Sequence, residues 1–166
     1  MTSEWSLLIY KLPAHPSKHR LSVWRKLVAI GAVYLQDGVC TLPKRDDLDE
    51  NLQYVADQIA ASGGTYHLLE AASSGAETEK LTERFRLSAD ERMRAQLIRL
   101  QALLQSLEEI VSIADIERAE DELKKERVAF LKSNRLSFLG SNDEPLVTAR
   151  LDEIRAQLDI LTRGAK

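Results

Sequence analysis

The sequence predicts an α+β protein: a ferredoxin-like βαββαβ N-terminal domain followed by an all-helical C-terminal region. Over residues 4–71, short apolar runs and amphipathic segments follow one another in the order β-α-β-β-α-β, which is the ferredoxin-like pattern. Farther along, apolar residues recur only at helical spacings of three and four. We therefore expect a ferredoxin-like domain at residues 1–72, a linker at 73–87, and a helical region at 88–166 that forms an antiparallel bundle or a dimerisation surface.

The first strand and the first helix are separated by a turn that contains two prolines. Residues 4–12, EWSLLIYKL, are apolar and rich in aromatic and branched side chains, which predicts a mostly buried strand that Pro13 ends. A helix begins after Pro16-Ser17, and Gly31 closes it. The side of this helix that we expect to be buried comprises Leu21, Val23, Trp24, Leu27 and Val28.

Two short β-type runs, Val33–Gln36 and Val39–Leu42, flank Asp37-Gly38. Asp-Gly between apolar runs predicts a hairpin, with one bulged strand as the alternative. The single cysteine, Cys40, lies in the second run and cannot form a disulfide within one chain. We expect it to be a small buried thiol in a reducing compartment.

A second amphipathic helix and a last strand complete the predicted domain. The helix has Asp46 or Asp47 as its N-cap and ends at Ser62-Gly63-Gly64. Its apolar stripe comprises Leu48, Leu52, Val55 and Ile59. Residues 65–71, TYHLLEA, predict the strand.

The helical region carries three capping signals. Ser88 with Glu91 has the form of a capping box, Ser112 to Asp115 offers a second cap, and Pro145 suits the first turn of a last helix. The apolar stripes comprise Leu97, Leu100, Leu104, Leu107 and Val111; Ile116, Leu123, Val128 and Phe130; and Val147, Leu151, Ile154, Leu158 and Leu161. Each helix hides only one face, so the helices must pack on each other or on a second copy. We expect a homodimer built largely through them.

Charge is distributed unevenly along the chain. The net charge is −3, yet residues 11–45 contain seven Lys and Arg and one acid, about +6, so the remainder carries about −9. A compact basic patch in an acidic protein indicates an anionic partner. The candidate DNA-binding or anion-binding residues are Lys11, Lys18, His19, Arg20, Arg25, Lys26, Lys44 and Arg45.

The start of the first helix concentrates three of these residues. Lys18, His19 and Arg20 stand in its first turn, where a cation is unfavourable by roughly 0.3–1 kcal/mol. Free backbone N–H groups together with cationic side chains suit a phosphate or another oxyanion. The alternative is that these residues are merely exposed, with Arg20 paired to a carboxylate.

Several classes of site are not supported by the sequence. His15, His19 and His67 lack metal-ligand spacing, and no nucleophile or nucleotide-binding motif occurs, so we expect no enzyme, no metal and no cofactor. Trp5 and Trp24 are expected in the core rather than as base-stacking platforms. The N-terminal residues lack the features of a signal peptide, and no apolar run is long enough to cross a membrane. We therefore expect a cytoplasmic protein with no membrane partner.

The segments LLIYKLP, PSKHRLSVWRKL and GAVYLQDGVCTLP resemble the N-terminal domain of the chromate-resistance regulators, the ChrB family. The matching positions are Lys11, Pro13, Pro16, Ser17, Arg20, Trp24, Arg25, Lys26, Leu27, Gly31, Ala32, Leu35, Gln36, Asp37, Val39, Leu42 and Pro43. The likeness is specific over about residues 5–71 and looser beyond, where Phe85-Arg86 and the helices are similar only in kind.

The resemblance implies a DNA-binding transcriptional regulator that acts on a chromate-efflux operon, with double-stranded DNA as partner and an oxyanion such as chromate as possible effector. Longer members carry a further C-terminal domain to which oxyanion sensing is often assigned. A more distant likeness runs to small CRISPR-associated nucleases, but Tyr10-Lys11 stands where those place a metal-binding Asp. The alternative function is a non-catalytic oxyanion-sensing or protein-interaction module that does not bind DNA.

Overall fold

A computed structural model describes residues 2–164 and shows a mixed α/β protein that is mostly helical. In chain order the elements are β1 (Thr2–Lys11), α1 (Ser17–Ala29), β2 (Val33–Gln36), β3 (Val39–Pro43), α2 (Asp46–Ala61), β4 (Thr65–Ser74), α3 (Gly75–Ser106), a short 3-10 helix (Leu107–Glu109), α4 (Ile113–Arg135) and α5 (Glu144–Gly164). The chain divides into two compact units between Arg84 and Phe85.

The first unit is built on a four-stranded antiparallel sheet with the strand order β2-β3-β1-β4. The predicted hairpin is confirmed: β2 and β3 pair around Asp37-Gly38, where Gly38 has a positive φ of 71°. A register shift between Tyr34 and Gln36 marks an irregularity in that pair. Next to β3, β1 pairs with β4 over all ten residues of each strand, from Thr2↔Ser74 to Lys11↔Thr65.

Helices α1 and α2 pack against each other, and α2 also packs on β1 and β4. The heptad-like spacing in α2 places its apolar stripe inward as predicted. The buried apolar residues of these elements include Leu8, Val23, Leu27, Cys40, Leu42, Leu48, Leu52, Val55 and Ile59. Trp5 is buried as expected, and its indole Nε1 donates to Ser73 Oγ at 2.7 Å.

Two details of the first unit differ from the predictions. Only Val23 and Leu27 of the expected α1 face are buried, whereas Leu21, Trp24 and Val28 are exposed, Trp24 by 49%. The part of α1 that packs against the rest of the unit is therefore narrower than the apolar face of the helix. The N-cap of α2 is Arg45 rather than an aspartate, and the acids occupy the first turn, where they favour the helix dipole.

Residues 73–87, the predicted linker, contain the boundary between the two units and have regular secondary structure, and the predicted capping box at Ser88 is wrong. These residues form the end of β4 and the first turns of α3, which continues without a break to Ser106. Ser88 lies within that helix, and its Oγ accepts a hydrogen bond from Arg92 at 2.9 Å. Buried Leu81, Phe85 and Ala89 at helical spacing explain why the segment is helical.

The second unit packs the remainder of α3 with α4 and α5 around one core. Its buried apolar residues are Met93, Leu100, Leu107, Ile116, Ala119, Leu123, Val147, Leu151, Ile154 and Leu158. The predicted stripes therefore cover one another within a single chain, except that Val111 (92% exposed) and Val128 lie outside the core. The stripes do not require a second copy, and the homodimer stays a prediction.

Two predicted helix starts in this unit are confirmed. Ser112 caps α4 by accepting a hydrogen bond at its Oγ from the Asp115 N–H at 3.2 Å. Pro145 stands in the first turn of α5. No helix in the part of the chain described by the structure is long and apolar enough to cross a membrane.

Polar side chains of α3 hold the connection between α4 and α5. The buried Asp90 carboxylate accepts hydrogen bonds from the Ser141 hydroxyl at 2.6 Å, the Asn142 N–H at 2.8 Å and the Asn142 side chain at 3.1 Å. Arg94 pairs with Asp143 at 2.7 Å. These contacts fix the loop between the two helices.

Candidate functional site

The first turn of α1 has no negative charge to offset its dipole. Pro16 is the N-cap and provides no side-chain hydrogen bond, and no acid occurs in the first turn. The turn instead contains Lys18, His19 and Arg20, of which Lys18 and Arg20 are exposed and His19 is half-buried. Backbone N–H groups and cationic side chains thus create a local positive potential.

The outward face of α1 carries an apolar stripe bordered by cations. Leu21, Trp24 and Val28 form this α1 stripe at spacings of three and four. Because an α-helix turns about 100° per residue, Arg20 lies on one side of the stripe, and Lys18 and Arg25 lie on the other. None of these three cations forms an ion pair with any residue between 2 and 164.

Two further predicted residues are Lys26, within α1, and Lys11, at the end of β1. Lys26 is half-buried and turned toward α2, where its Nζ donates to Gln58 Oε1 at 3.2 Å and lies 5.6 Å from the centre of the Tyr54 ring. Lys11 is exposed at the end of β1. Lys26 therefore has a packing role, whereas Lys11 can meet a ligand.

The last two predicted residues are neutralised by carboxylates. Lys44 Nζ lies 2.6 Å from Asp49 and 2.7 Å from Glu70, and these hydrogen bonds, that to Asp49 first, raise the lysine pKa. Arg45 pairs with Asp47 at 2.7 Å, which also raises its pKa. These ion pairs stabilise the start of α2, so Lys44 and Arg45 differ from the exposed cations of α1.

Three ionisable groups of the sheet are buried to different degrees: Tyr10 and Tyr34 are half-buried and Cys40 is fully buried. The hydroxyls of Tyr10 and Tyr34 are 2.7 Å apart, and burial is the main cause that raises the pKa of both phenols. Cys40 is fully buried as predicted, and desolvation raises the pKa of its thiol to about 12. No group of three or more His, Cys, Asp or Glu able to hold a metal occurs among the residues described.

The sequence reasoning missed the exposure of the α1 stripe. The five apolar residues from Leu21 to Val28 span about 160° of the helix circumference, at about 100° per residue. A helix that lies on one layer needs an apolar arc of only about 100°. The excess width was the signal that part of this arc faces outward.

Comparison with known proteins gives one family and one relative. The profile of the family described as "Protein ChrB, N-terminal" matches residues 20–163, which includes the helical second unit as well as most of the first. A protein named "Protein ChrB" from Cupriavidus metallidurans is 33% identical over 75 residues, which are 45% of this chain and 23% of the relative. The match thus spans less than a quarter of that relative's length.

Proposed function

This chain belongs to the ChrB N-terminal family, and on that premise we propose that it is a DNA-binding transcriptional regulator of chromate resistance. The main support for a DNA contact is the outward face of α1, which has cations on both sides of the α1 stripe. Phosphate contacts supply most of the affinity of such proteins, and the groove lies between two rows of phosphates. A helix with an apolar centre and cationic borders complements that surface.

The first unit would act as the scaffold, and we propose that it is ferredoxin-like. Its element order β-α-β-β-α-β and strand order β2-β3-β1-β4 support that assignment, because each helix connects two strands that are consecutive in sequence but separated in the sheet by one other strand. In this arrangement α1 buries Val23 and Leu27, and Lys26 packs against α2. The exposed α1 stripe lies beside these buried residues and is left for a partner, and an α-helix fits the major groove of about 12 Å width.

The exposed cations are expected to contribute unequally to binding. Among residues 2–164 no carboxylate pairs with Lys18, Arg20 or Arg25, so these side chains can bind a phosphate without first breaking an ion pair. Lys44 would have to exchange Asp49 and Glu70 for the phosphate. We therefore propose that the α1 cations, rather than Lys44 and Arg45, contact DNA.

The experiment is a salt titration of binding to a duplex from upstream of the protein's own gene. The log of the binding constant should fall against log[salt] with a slope of about 0.9 for each phosphate neutralised. Arg20→Ala/Arg25→Ala should weaken binding to all sequences and make that slope shallower, whereas the matched control Lys44→Ala/Arg45→Ala should leave the slope nearly unchanged. Equal losses in the two double variants, or no binding at low salt, would refute the assignment.

The uncapped first turn of α1 favours a second candidate, a non-catalytic module that binds an oxyanion such as chromate. Its lysine and arginine side chains and free N–H groups suit a tetrahedral dianion. In that case sulfate or chromate should raise the melting temperature of the wild type, and Arg20→Ala should abolish the effect while Arg25→Ala spares it. DNA binding without any oxyanion effect supports the regulator alone.

A further inference from the structure

Strand β4 is the edge of the sheet, and it lacks the usual protection against pairing. All ten of its residues pair with β1 in one uninterrupted register, so no bulge twists the edge away. The strand contains no proline, lysine or arginine, and its one carboxylate, Glu70, is bound by Lys44 at 2.7 Å. Natural proteins normally protect an edge of this length with such devices, because unpaired N–H and C=O groups are a template for another strand.

The direction of the free backbone groups follows from the bonds that β1 makes. Tyr10 N–H donates to the Gly38 carbonyl, and the Glu4 carbonyl accepts from Lys44 N–H, so the even-numbered residues of β1 point toward β3. The backbone groups of the odd-numbered β1 residues therefore bond to β4. In the β1–β4 register each of them lies opposite an odd-numbered residue of β4, as Leu7 lies opposite Leu69. Consequently the N–H and C=O groups of Tyr66, Leu68, Glu70 and Ala72 point to the open edge. In the described structure no hydrogen bond reaches them from outside the strand.

We propose that a second copy of this chain pairs with this edge, β4 against β4 in antiparallel orientation, with the two-fold axis at Leu69. Outward-pointing residues must oppose one another across such a junction. With the axis at Leu69, Leu68 opposes Glu70 of the second copy and Tyr66 opposes Ala72, so four hydrogen-bonded pairs form. An isologous interface of this kind closes on itself and yields a dimer rather than a fibre.

Charge and side-chain size select both this register and this occupant. Moving the axis to Glu70 would place two carboxylates directly opposite each other, which is destabilising. At Leu69 the axis instead brings together two leucines that are each 49% exposed in the single chain. Ala71, Ala72, Ser73 and Ser74 are small and let a second strand approach. The strand is thus complementary to its own copy.

A cysteine crosslink tests the axis. Leu69 would oppose its copy in a non-hydrogen-bonded pair, with Cα atoms about 4.5 Å apart, which a disulfide can span. The full chain carrying Leu69→Cys should form a covalent dimer under a mild oxidant, while the native Cys40 is fully buried and should not react. The control Thr65→Cys lies four residues from the axis, so its two thiols would be about 27 Å apart at about 3.4 Å per residue, and it should stay uncrosslinked.

A proline substitution tests the hydrogen bonds without disturbing the fold. The Ala72 N–H points outward, so Ala72→Pro removes a donor to the second copy and spares the β1 ladder. Its dimer dissociation constant in sedimentation equilibrium should rise about tenfold or more, since two donors are lost per dimer. A wild type that stays monomeric at high micromolar concentration, or Thr65→Cys crosslinking as fast as Leu69→Cys, would overturn the proposal.

Discussion

Replacing Asp90 by alanine should remove about 3 kcal/mol from the free energy of unfolding. The Asp90 side chain is 2% exposed and accepts three hydrogen bonds from Ser141 and Asn142. A hydrogen bond to a charged group contributes about 1.5–3 kcal/mol, and removing a buried acceptor leaves its donors unpaired. Because water can enter the truncated site, the three contributions do not add fully, and about 3 kcal/mol is the expected net loss.

The pH dependence provides an independent check of the same carboxylate. The hydrogen bond from Ser141 is the main cause that holds the pKa of Asp90 below its ordinary value, and Asn142 adds to it, while burial opposes them. A lowered folded pKa means that the stabilisation is complete above the unfolded value of about 3.9 and is lost as the pH falls through the folded pKa. The difference between wild type and Asp90→Asn should therefore shrink below about pH 4.

Urea unfolding followed by far-ultraviolet circular dichroism measures the loss. Both tryptophans lie in the first unit, so their fluorescence follows that unit separately. The neighbouring exposed residue supplies the control, since Glu91→Ala should change stability by less than about 0.5 kcal/mol. A loss below about 1 kcal/mol for Asp90→Ala, or the same loss in both variants, would show that the contacts with the α4–α5 loop do not stabilise the protein.

Three further substitutions probe the first unit. Gly38→Ala should destabilise the protein by about 2 kcal/mol or more in thermal unfolding, because Gly38 has a φ of +71° and a Cβ there would overlap the Tyr10 carbonyl oxygen. Trp24→Ala should cost less than about 1 kcal/mol and Trp5→Ala about 3–5 kcal/mol, and equal losses would contradict the difference in exposure. Cys40 is fully buried, and burial raises the pKa of its thiol to about 12, so it should react with a thiol reagent only as fast as the first unit unfolds locally. Immediate reaction in the native state would show that the thiol is accessible.

Local signals predicted the elements of the first unit well. The Asp-Gly turn, the glycines after α1 and α2, and the apolar stripe of α2 each fix the backbone within a few residues. The boundary between the units, between Arg84 and Phe85, lies inside the predicted linker, whereas the start of α3 was misplaced. Ser88 and Glu91 have the spacing of a capping box, yet residues at that spacing also occur inside helices. Burial of Phe85 and Ala89 decides between the two, and it depends on residues distant in the sequence.

The sequence predicted which residues make up the candidate site but not how those residues are arranged. The basic stretch was visible in the sequence, whereas the partners of its cations were not. Lys44 pairs with Glu70, which belongs to the last strand of the sheet, so only the strand order brings the two together. The width of the apolar arc of α1 indicates that part of it is exposed, but that Trp24 belongs to the exposed part depends on which side of the helix the rest of the unit covers.

The pairing of β1 with β4 also has a consequence for how the chain folds. Strand β1 is synthesised before the rest of the first unit, so it can pair with β4 only after the intervening elements have been made. Trp5 and Ser73, which share a hydrogen bond, are 68 positions apart. Bringing β1 and β4 together closes a long loop and costs chain entropy, and folding rates fall as the number of contacts between residues distant in sequence increases. The helical unit, although synthesised later, relies on neighbouring helices joined by short connections. In refolding experiments its circular dichroism signal should therefore return before the fluorescence of Trp5 does.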